Sequence, residues 1–106
     1  RKTPLAETAD LWLAPRPGSD VVWINCLLNL IAGQGLIDWQ FLEAHTEGYE
    51  ETLQAARTIS AEKVEEICGI TAADLAQAAS IFGEAERGAI VYAMGVTQHA
   101  QGTDIV

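Results

Sequence analysis

The first residues that could bind a ligand form the loop 15–20, Pro-Arg-Pro-Gly-Ser-Asp. Its two prolines stiffen the backbone, and Gly18 permits an unusual backbone angle or the close approach of a ligand. Ser19 and Asp20 stand where a helix begins, and the free N–H groups of a helix start favour an anion. The Asp20 carboxylate could also accept two hydrogen bonds from the adjacent donors on a guanine pairing edge. By pattern alone the preferred interpretation is an ordinary capped turn, because many proteins have one without a ligand.

A second group of candidate residues lies at 94–99, Met-Gly-Val-Thr-Gln-His. It follows a predicted buried strand, and open α/β sheets bind ligands at the carboxyl ends of their strands. Gln98 offers both a donor and an acceptor, which suits the edge of a heterocycle. His99 could act as a base, although a lone His in a loop is more often a surface residue. Met94 by itself is predicted to belong to the core.

The other reactive side chains have no partners at useful spacing. Cys26, Cys68 and His45 form no CxxC pair, no zinc spacing and no catalytic triad. We therefore predict neither a catalytic residue nor a metal ligand in this chain. Both cysteines are predicted to be buried thiols. A disulfide between them stays open, and a reducing compartment is the simpler assumption.

The charge and hydropathy of the chain exclude some function classes. A formal net charge of -9 argues against nucleic-acid binding, which depends on Lys and Arg. The basic residues Arg1, Lys2 and Arg16 lie near the N-terminus, so that end remains available for a phosphate. The longest apolar stretch, residues 21–32, is well short of the roughly 20 residues that a membrane span needs. No direct membrane span is expected.

Hydrophobic periodicity predicts an α/β fold that is rich in helix. Short strands are expected near both ends, at 9–14 and 89–94, with a helical crossover that returns the chain to a sheet. The predicted helices are 21–32, a short one after Asp38, 49–57, 60–68, and one that begins with a capping box at 71–74.

The helix 21–32 is apolar on nearly every side, and such a helix is normally covered on most faces. A chain of 106 residues has little material to cover it, and the sequence does not begin with Met. We expect residues 1–106 to be part of one domain in a larger protein.

Three motifs, in order, make the sequence similar to a known family. They are residues 9–20, residues 43–48 (Glu-Ala-His-Thr-Glu-Gly), and residues 94–99 together with Gly-Thr-Asp at 102–104. Across the whole chain the sequence resembles the molybdopterin oxidoreductases of the dimethyl sulfoxide reductase superfamily. It looks most like the large (alpha) subunits of formate dehydrogenases, in which Met-Gly-(Val or Ile)-Thr-Gln is usual. Nitrate reductases are similar but tend to have Asn in place of Thr97.

The resemblance implies a bis(molybdopterin guanine dinucleotide) cofactor that carries molybdenum or tungsten. By position, Gly18, Ser19 and Asp20 would meet a guanosine end, while Met94 and Gln98 would contact the pterin part. The implied fold is part of a Rossmann-like dinucleotide-binding domain. The implied reaction is the two-electron oxidation of formate to carbon dioxide.

In this family the metal-binding Cys or selenocysteine and the ligands of a 4Fe-4S cluster lie upstream, and a catalytic Arg lies downstream. The chain alone is therefore expected to be inactive. Its implied partners are the rest of the catalytic subunit, iron-sulfur or other electron-transfer subunits, and formate. A cytoplasmic location is expected, and a periplasmic one stays open. The alternatives are an assimilatory or periplasmic-type nitrate reductase and a non-catalytic ligand-binding or interaction module.

Overall fold

The computed structural model describes residues 2–100 and Gly102, and this part of the chain is helical and contains no β-strand. Its helices are α1 (Pro4–Glu7), α2 (Asp20–Gly33), α3 (Trp39–His45), α4 (Tyr49–Ala56), α5 (Ala61–Cys68), α6 (Ala72–Gly83) and α7 (Met94–Thr97). The predicted helices are thus confirmed, with α1 and α7 as additional short ones.

Side-chain caps explain where several of these helices begin. The Asp38 carboxylate accepts a hydrogen bond from the Phe41 N–H at 2.9 Å, at the start of α3. The Thr71 hydroxyl accepts from the Asp74 N–H at 3.1 Å, at the start of α6. Each bond satisfies an N–H group that the helix itself leaves free. Both caps had been predicted from sequence.

Helix α2 is the centre of the fold and packs against α4, α5 and α6, while α5 also packs against α6. The buried residues of the core are Cys26, Val64, Cys68, Ile70 and Leu75. Both cysteines are buried free thiols, as predicted. Since Cys26 is the one fully buried residue of α2, the rest of this apolar helix is only partly covered.

The predicted strands are wrong for this structure. Residues 11–16 have no regular secondary structure, and neither do residues 88–93 before α7 begins at Met94. The run 89–94 was expected to be buried, but Ile90 and Val91 are 75% and 94% exposed. A strand is defined by pairing with a neighbour, and the described residues offer none. Branched apolar composition predicts the tendency of a segment to pair, not the presence of its partner.

Within the described residues, no helix is both long and apolar enough to cross a membrane.

Candidate functional site

The loop 15–20 connects the N-terminal segment to α2, and its backbone is open to solvent at Gly18. The φ angle of Gly18 is 81°, in the left-handed region that residues with a Cβ rarely adopt. A Cβ built at this position would meet no atom within 4 Å. The glycine is therefore needed for its backbone angle, and the space beside it is free for a ligand.

Ser19 occupies the N-cap position of α2 but does not cap the helix. Its hydroxyl donates to the Arg16 carbonyl oxygen at 2.6 Å, and its N–H donates to the same oxygen at 3.2 Å. The residue is only 5% exposed. The predicted side-chain cap is therefore wrong, because the hydroxyl closes the loop on itself. Ser19 shapes this loop more than it presents a group to a ligand.

The first turn of α2 leaves hydrogen-bonding groups free next to Gly18. The Ser19 carbonyl oxygen accepts from the N–H groups of Val22 and Trp23, at 3.1 and 3.3 Å. The N–H groups of Asp20 and Val21 have no acceptor among the described residues. The half-buried Asp20 carboxylate likewise has no hydrogen bond there. The helix start thus offers donors for an anion and a carboxylate acceptor within one turn.

Arg16 is held against the end of α5. Its Nη1 donates to the carbonyl oxygens of Glu66 and Ile67, at 2.5 and 3.1 Å, and its backbone N–H donates to the Cys68 carbonyl oxygen at 2.9 Å. A cation is favoured there because the last carbonyl groups of a helix carry partial negative charge. The availability of the basic N-terminal end for a phosphate stays a prediction, and at Arg16 the Nη1 group is already bonded to the end of α5. Sequence patterns could not show this contact, because its partners are about fifty positions away.

Of the other basic residues near the N-terminus, Lys2 lies over the Trp12 ring, with Nζ 5.7 Å from the ring centroid. Arg1 is outside the described residues.

The second candidate group surrounds α7. Met94 begins this helix and Gln98 directly follows its last residue. The Gln98 Nε2 lies 3.3 Å from the Met94 Sδ, so the two side chains share one side of the turn. Met94 is 67% exposed, so its predicted core position is wrong. His99 is fixed locally by a contact between its Nε2 and the Gly95 carbonyl oxygen at 3.0 Å.

Of the Gly-Thr-Asp motif only Gly102 is described, while Thr103 and Asp104 lie outside the described residues. A Cβ at Gly102 would lie 2.2 Å from the Thr97 carbonyl oxygen. The backbone here approaches α7 more closely than any other residue type allows. Gly102 is therefore required by close packing against α7, which the sequence did not indicate.

Among the described residues no hydrogen bond joins the two candidate groups, loop 15–20 and residues 94–100, and α7 is not among the main packed helix pairs. In the described part of the chain, no cluster of three or more His, Cys, Asp or Glu side chains could hold a metal ion. What the arrangement offers is two polar surfaces that could each contact a different part of a long ligand.

One buried polar atom near the first loop lacks a partner. The indole N–H of Trp23 has no acceptor within the described residues. Trp23 lies one helical turn after Asp20 and packs against the core. An unpaired buried donor lowers the free energy of unfolding by about 1–3 kcal/mol. The first turns of α2 therefore contain one buried hydrogen-bond donor without an acceptor among the described residues.

Over its whole length the chain is similar to two proteins that are both named formate dehydrogenases. It is 38% identical to the F420-dependent formate dehydrogenase subunit alpha of Methanocaldococcus jannaschii, over 106 residues. It is 36% identical to formate dehydrogenase H of Escherichia coli, again over 106 residues. A nitrate reductase of Synechocystis is 39% identical over 103 residues, which are 97% of the chain and 14% of that protein.

A solved structure shares the fold. Acetylene hydratase from Pelobacter acetylenicus superposes with a TM-score of 0.84 and 32% sequence identity, over 91% of the chain and 13% of that protein. No protein-family model matches the chain. The chain spans 16% of the length of the M. jannaschii subunit and 15% of the E. coli enzyme.

Proposed function

Because the chain belongs to the molybdopterin oxidoreductases of the dimethyl sulfoxide reductase superfamily, we propose that it forms part of the cofactor-binding scaffold in a formate dehydrogenase alpha subunit. The cofactor in this proposal is bis(molybdopterin guanine dinucleotide) with molybdenum or tungsten. The whole-length similarity to two formate dehydrogenases supports this assignment. The chain contributes residues that hold the cofactor, not residues that react.

The start of α2 is the observation that carries the proposal. Beside the open backbone of Gly18 stand a free Asp20 carboxylate and two free N–H groups. A guanine base has two adjacent donors on its pairing edge, and one carboxylate can accept both. The N–H groups of the helix start suit the negative charge of a nucleotide phosphate. The residues present thus fit a guanosine end, with Ser19 fixing the shape of the loop.

Met94 and Gln98 fit the pterin part of the cofactor. Gln98 donates through Nε2 to the Met94 sulfur, so its side-chain oxygen remains available as an acceptor. Met94 presents an exposed, polarisable thioether next to it. An adaptable apolar group beside an amide suits the flat, heteroatom-rich edge of a pterin.

When bound, the molybdenum or tungsten centre supplies the two-electron chemistry that converts formate to carbon dioxide. In this proposal the metal ligand, the 4Fe-4S cysteines and the catalytic Arg lie elsewhere in the subunit. The proposed partners are the remainder of that subunit and electron-transfer subunits. The proposed location is the cytoplasm.

Nitrate reduction is the second candidate, and the similarity to the Synechocystis nitrate reductase favours it to a similar degree. Thr97 points to formate, since nitrate reductases tend to have Asn there. Assays of the full-length protein with formate and with nitrate, each with an artificial electron carrier, separate the two. Formate oxidation without nitrate reduction is the expected result.

The test of the scaffold role uses Asp20→Ala in the full-length protein. We expect less guanine nucleotide and less molybdenum or tungsten per polypeptide, measured after acid hydrolysis and by elemental analysis. Asp38→Ala is the matched control, because it also removes a carboxylate at a helix start, but at the start of α3 and not of α2. Unchanged cofactor content in Asp20→Ala rules out the assignment. A wild-type protein that purifies without molybdopterin would favour a non-catalytic binding module.

A further inference from the structure

Arg16 connects two parts of the fold that are distant in sequence. On one side, its guanidinium and backbone N–H donate to three consecutive carbonyl oxygens at the end of α5, those of Glu66, Ile67 and Cys68. On the other side, its own carbonyl oxygen accepts both the hydroxyl and the N–H of Ser19. One residue thus ties the last turn of α5 to the loop that contains Gly18 and Asp20.

The end of α5 is an anchor for the loop, because its residues are held in the hydrophobic core. Val64 and Cys68 are fully buried, and both belong to the core that α2 completes. Gly69 ends the helix with a φ of 75°, and a Cβ there would lie 3.6 Å from the Arg16 Nε. The Arg16 side chain therefore lies across a glycine at van der Waals distance. Because the anchor is part of the core, its position is set by packing and not by the exposed loop.

The chemistry of the contact favours arginine. A guanidinium presents several N–H donors in a rigid plane, whereas a lysine ammonium is a compact point charge on a flexible stem. Two carbonyl oxygens on one nitrogen, together with the backbone bond, fix both the side chain and the main chain of Arg16. Removal of the guanidinium would leave the loop attached to α5 by backbone and Cys68 contacts alone.

We propose that Arg16 is a positioning residue for the cofactor, which acts by holding the loop 15–20 in the geometry that Asp20 needs. This inference rests on the proposed function of that loop. In this account Arg16 acts through the loop and not through a contact with the guanosine, since its Nη1 is bonded to the end of α5. The loop is exposed at Pro17 and Gly18, so its shape depends on this attachment.

The experiment measures the rate at which guanine nucleotide is lost from the full-length, cofactor-loaded protein, well below its unfolding temperature. Arg16→Ala is expected to shorten the half-time about tenfold, the order seen when outer-shell partners are removed from metal sites. Arg16→Lys should shorten the half-time by less than Arg16→Ala does, because lysine keeps a hydrogen-bond donor but lacks the planar group of donors of the guanidinium. Arg57→Ala, an exposed arginine at the end of α4, is the matched control and should leave the rate unchanged.

Two further variants distinguish the outcomes. Thr71→Ala removes the cap of α6 and lowers stability without touching the loop. Asp20→Ala removes the proposed contact itself. If Asp20→Ala speeds the loss but Arg16→Ala does not, the positioning role is overturned and the proposed function stands. If neither variant speeds the loss, the proposed function fails as well. If Arg16→Ala and Thr71→Ala both speed it in proportion to their lower unfolding temperatures, Arg16 is merely structural and the inference is overturned.

Discussion

The Cys68 thiol donates to the Ser19 carbonyl oxygen, with 3.7 Å between the sulfur and that oxygen. The carbonyl oxygen of the same Cys68 accepts from the Arg16 N–H at 2.9 Å. A fully buried core residue therefore contacts the candidate loop through its side chain and its backbone. Because Cys68 belongs to the core and contacts the loop, substitutions of Cys68 should affect both the stability of the fold and the geometry of the loop.

Cys68→Ala tests this coupling. The change removes a buried sulfur, leaves a small cavity and deletes the hydrogen bond to Ser19, and we expect the free energy of unfolding to fall by about 1–2 kcal/mol. The neighbouring Ile67 is 47% exposed, so Ile67→Ala is the control and should cost less although it deletes more atoms. Urea denaturation of the chain, followed by circular dichroism, measures both. An equal or larger loss for Ile67→Ala would contradict the burial argument.

Alkaline pH should destabilise the fold through Cys26. Burial raises the pKa of this thiol above its ordinary value of 9.0, and the nearby Cys68 and Glu62 raise it further. Above pH 9 the unfolded chain ionises this thiol while the folded chain keeps its proton, so stability falls as pH rises through that range. Below that value both states are protonated, and the thiol contributes no pH dependence.

The measurement is the unfolding free energy of wild type and Cys26→Ala between neutral and alkaline pH. We expect the wild type to lose stability more steeply than the variant above pH 9. The same desolvation should make alkylation of Cys26 by iodoacetamide slow at neutral pH, since the thiolate is the nucleophile. Parallel pH profiles for the two proteins would show that this thiol is not responsible.

Two glycines at helix ends should respond to alanine in opposite directions. Gly69 has a φ of 75°, and Gly69→Ala should cost about 1–2 kcal/mol because a Cβ is strained in the left-handed region. Gly33 lies at the end of α2 without a positive φ and with open space around it. Gly33→Ala should therefore stabilise the chain by about 0.5 kcal/mol. Thermal unfolding of the two variants checks the signs, and a loss at both positions would show that backbone conformation is not the cause.

The features that sequence reasoning predicted are local ones. The helices α2, α5 and α6 follow from apolar spacing, and Asp38 and Thr71 cap helices because their partners lie three residues away. The end of α5 at Gly69, which adopts the left-handed conformation, was likewise predicted from the local sequence. Interactions within one helical turn depend on neighbours that the sequence shows directly.

The features that it missed depend on distant partners. Arg16 was grouped with the basic residues of the N-terminal end, but the acceptors of its Nη1 are residues 66 and 67, which packing brings near. Ser19 was interpreted as a cap, but the Arg16 carbonyl oxygen takes its hydroxyl. The run 89–94 has a strand composition without a strand partner in the described residues. The binding role of loop 15–20 stays a prediction from the sequence, whereas the contact of Arg16 with the end of α5 is visible only in the fold.

The chain by itself should be only marginally stable, because much of its apolar surface is not covered. Val21 and Ile24 on α2 are 43% and 38% exposed, and Leu5, Ile90 and Val91 are far more exposed. Exposed apolar area contributes nothing to the hydrophobic stabilisation of about 25 cal/mol per Å² that burial provides. We expect an unfolding free energy below about 5 kcal/mol, the lower bound for typical domains.

Calorimetry and urea denaturation of the chain measure this stability, and binding of a hydrophobic dye reports the exposed surface. A low-temperature, broad transition with dye binding before unfolding is the expected result. Ile24→Gln serves as the companion variant: its side chain is partly exposed, so dye binding should fall while stability changes by less than a core substitution such as Leu75→Ala, where about 2–5 kcal/mol is expected. A sharp, cooperative melt at high temperature without dye binding would show that the buried residues around Cys26 and Leu75 suffice to stabilise the fold.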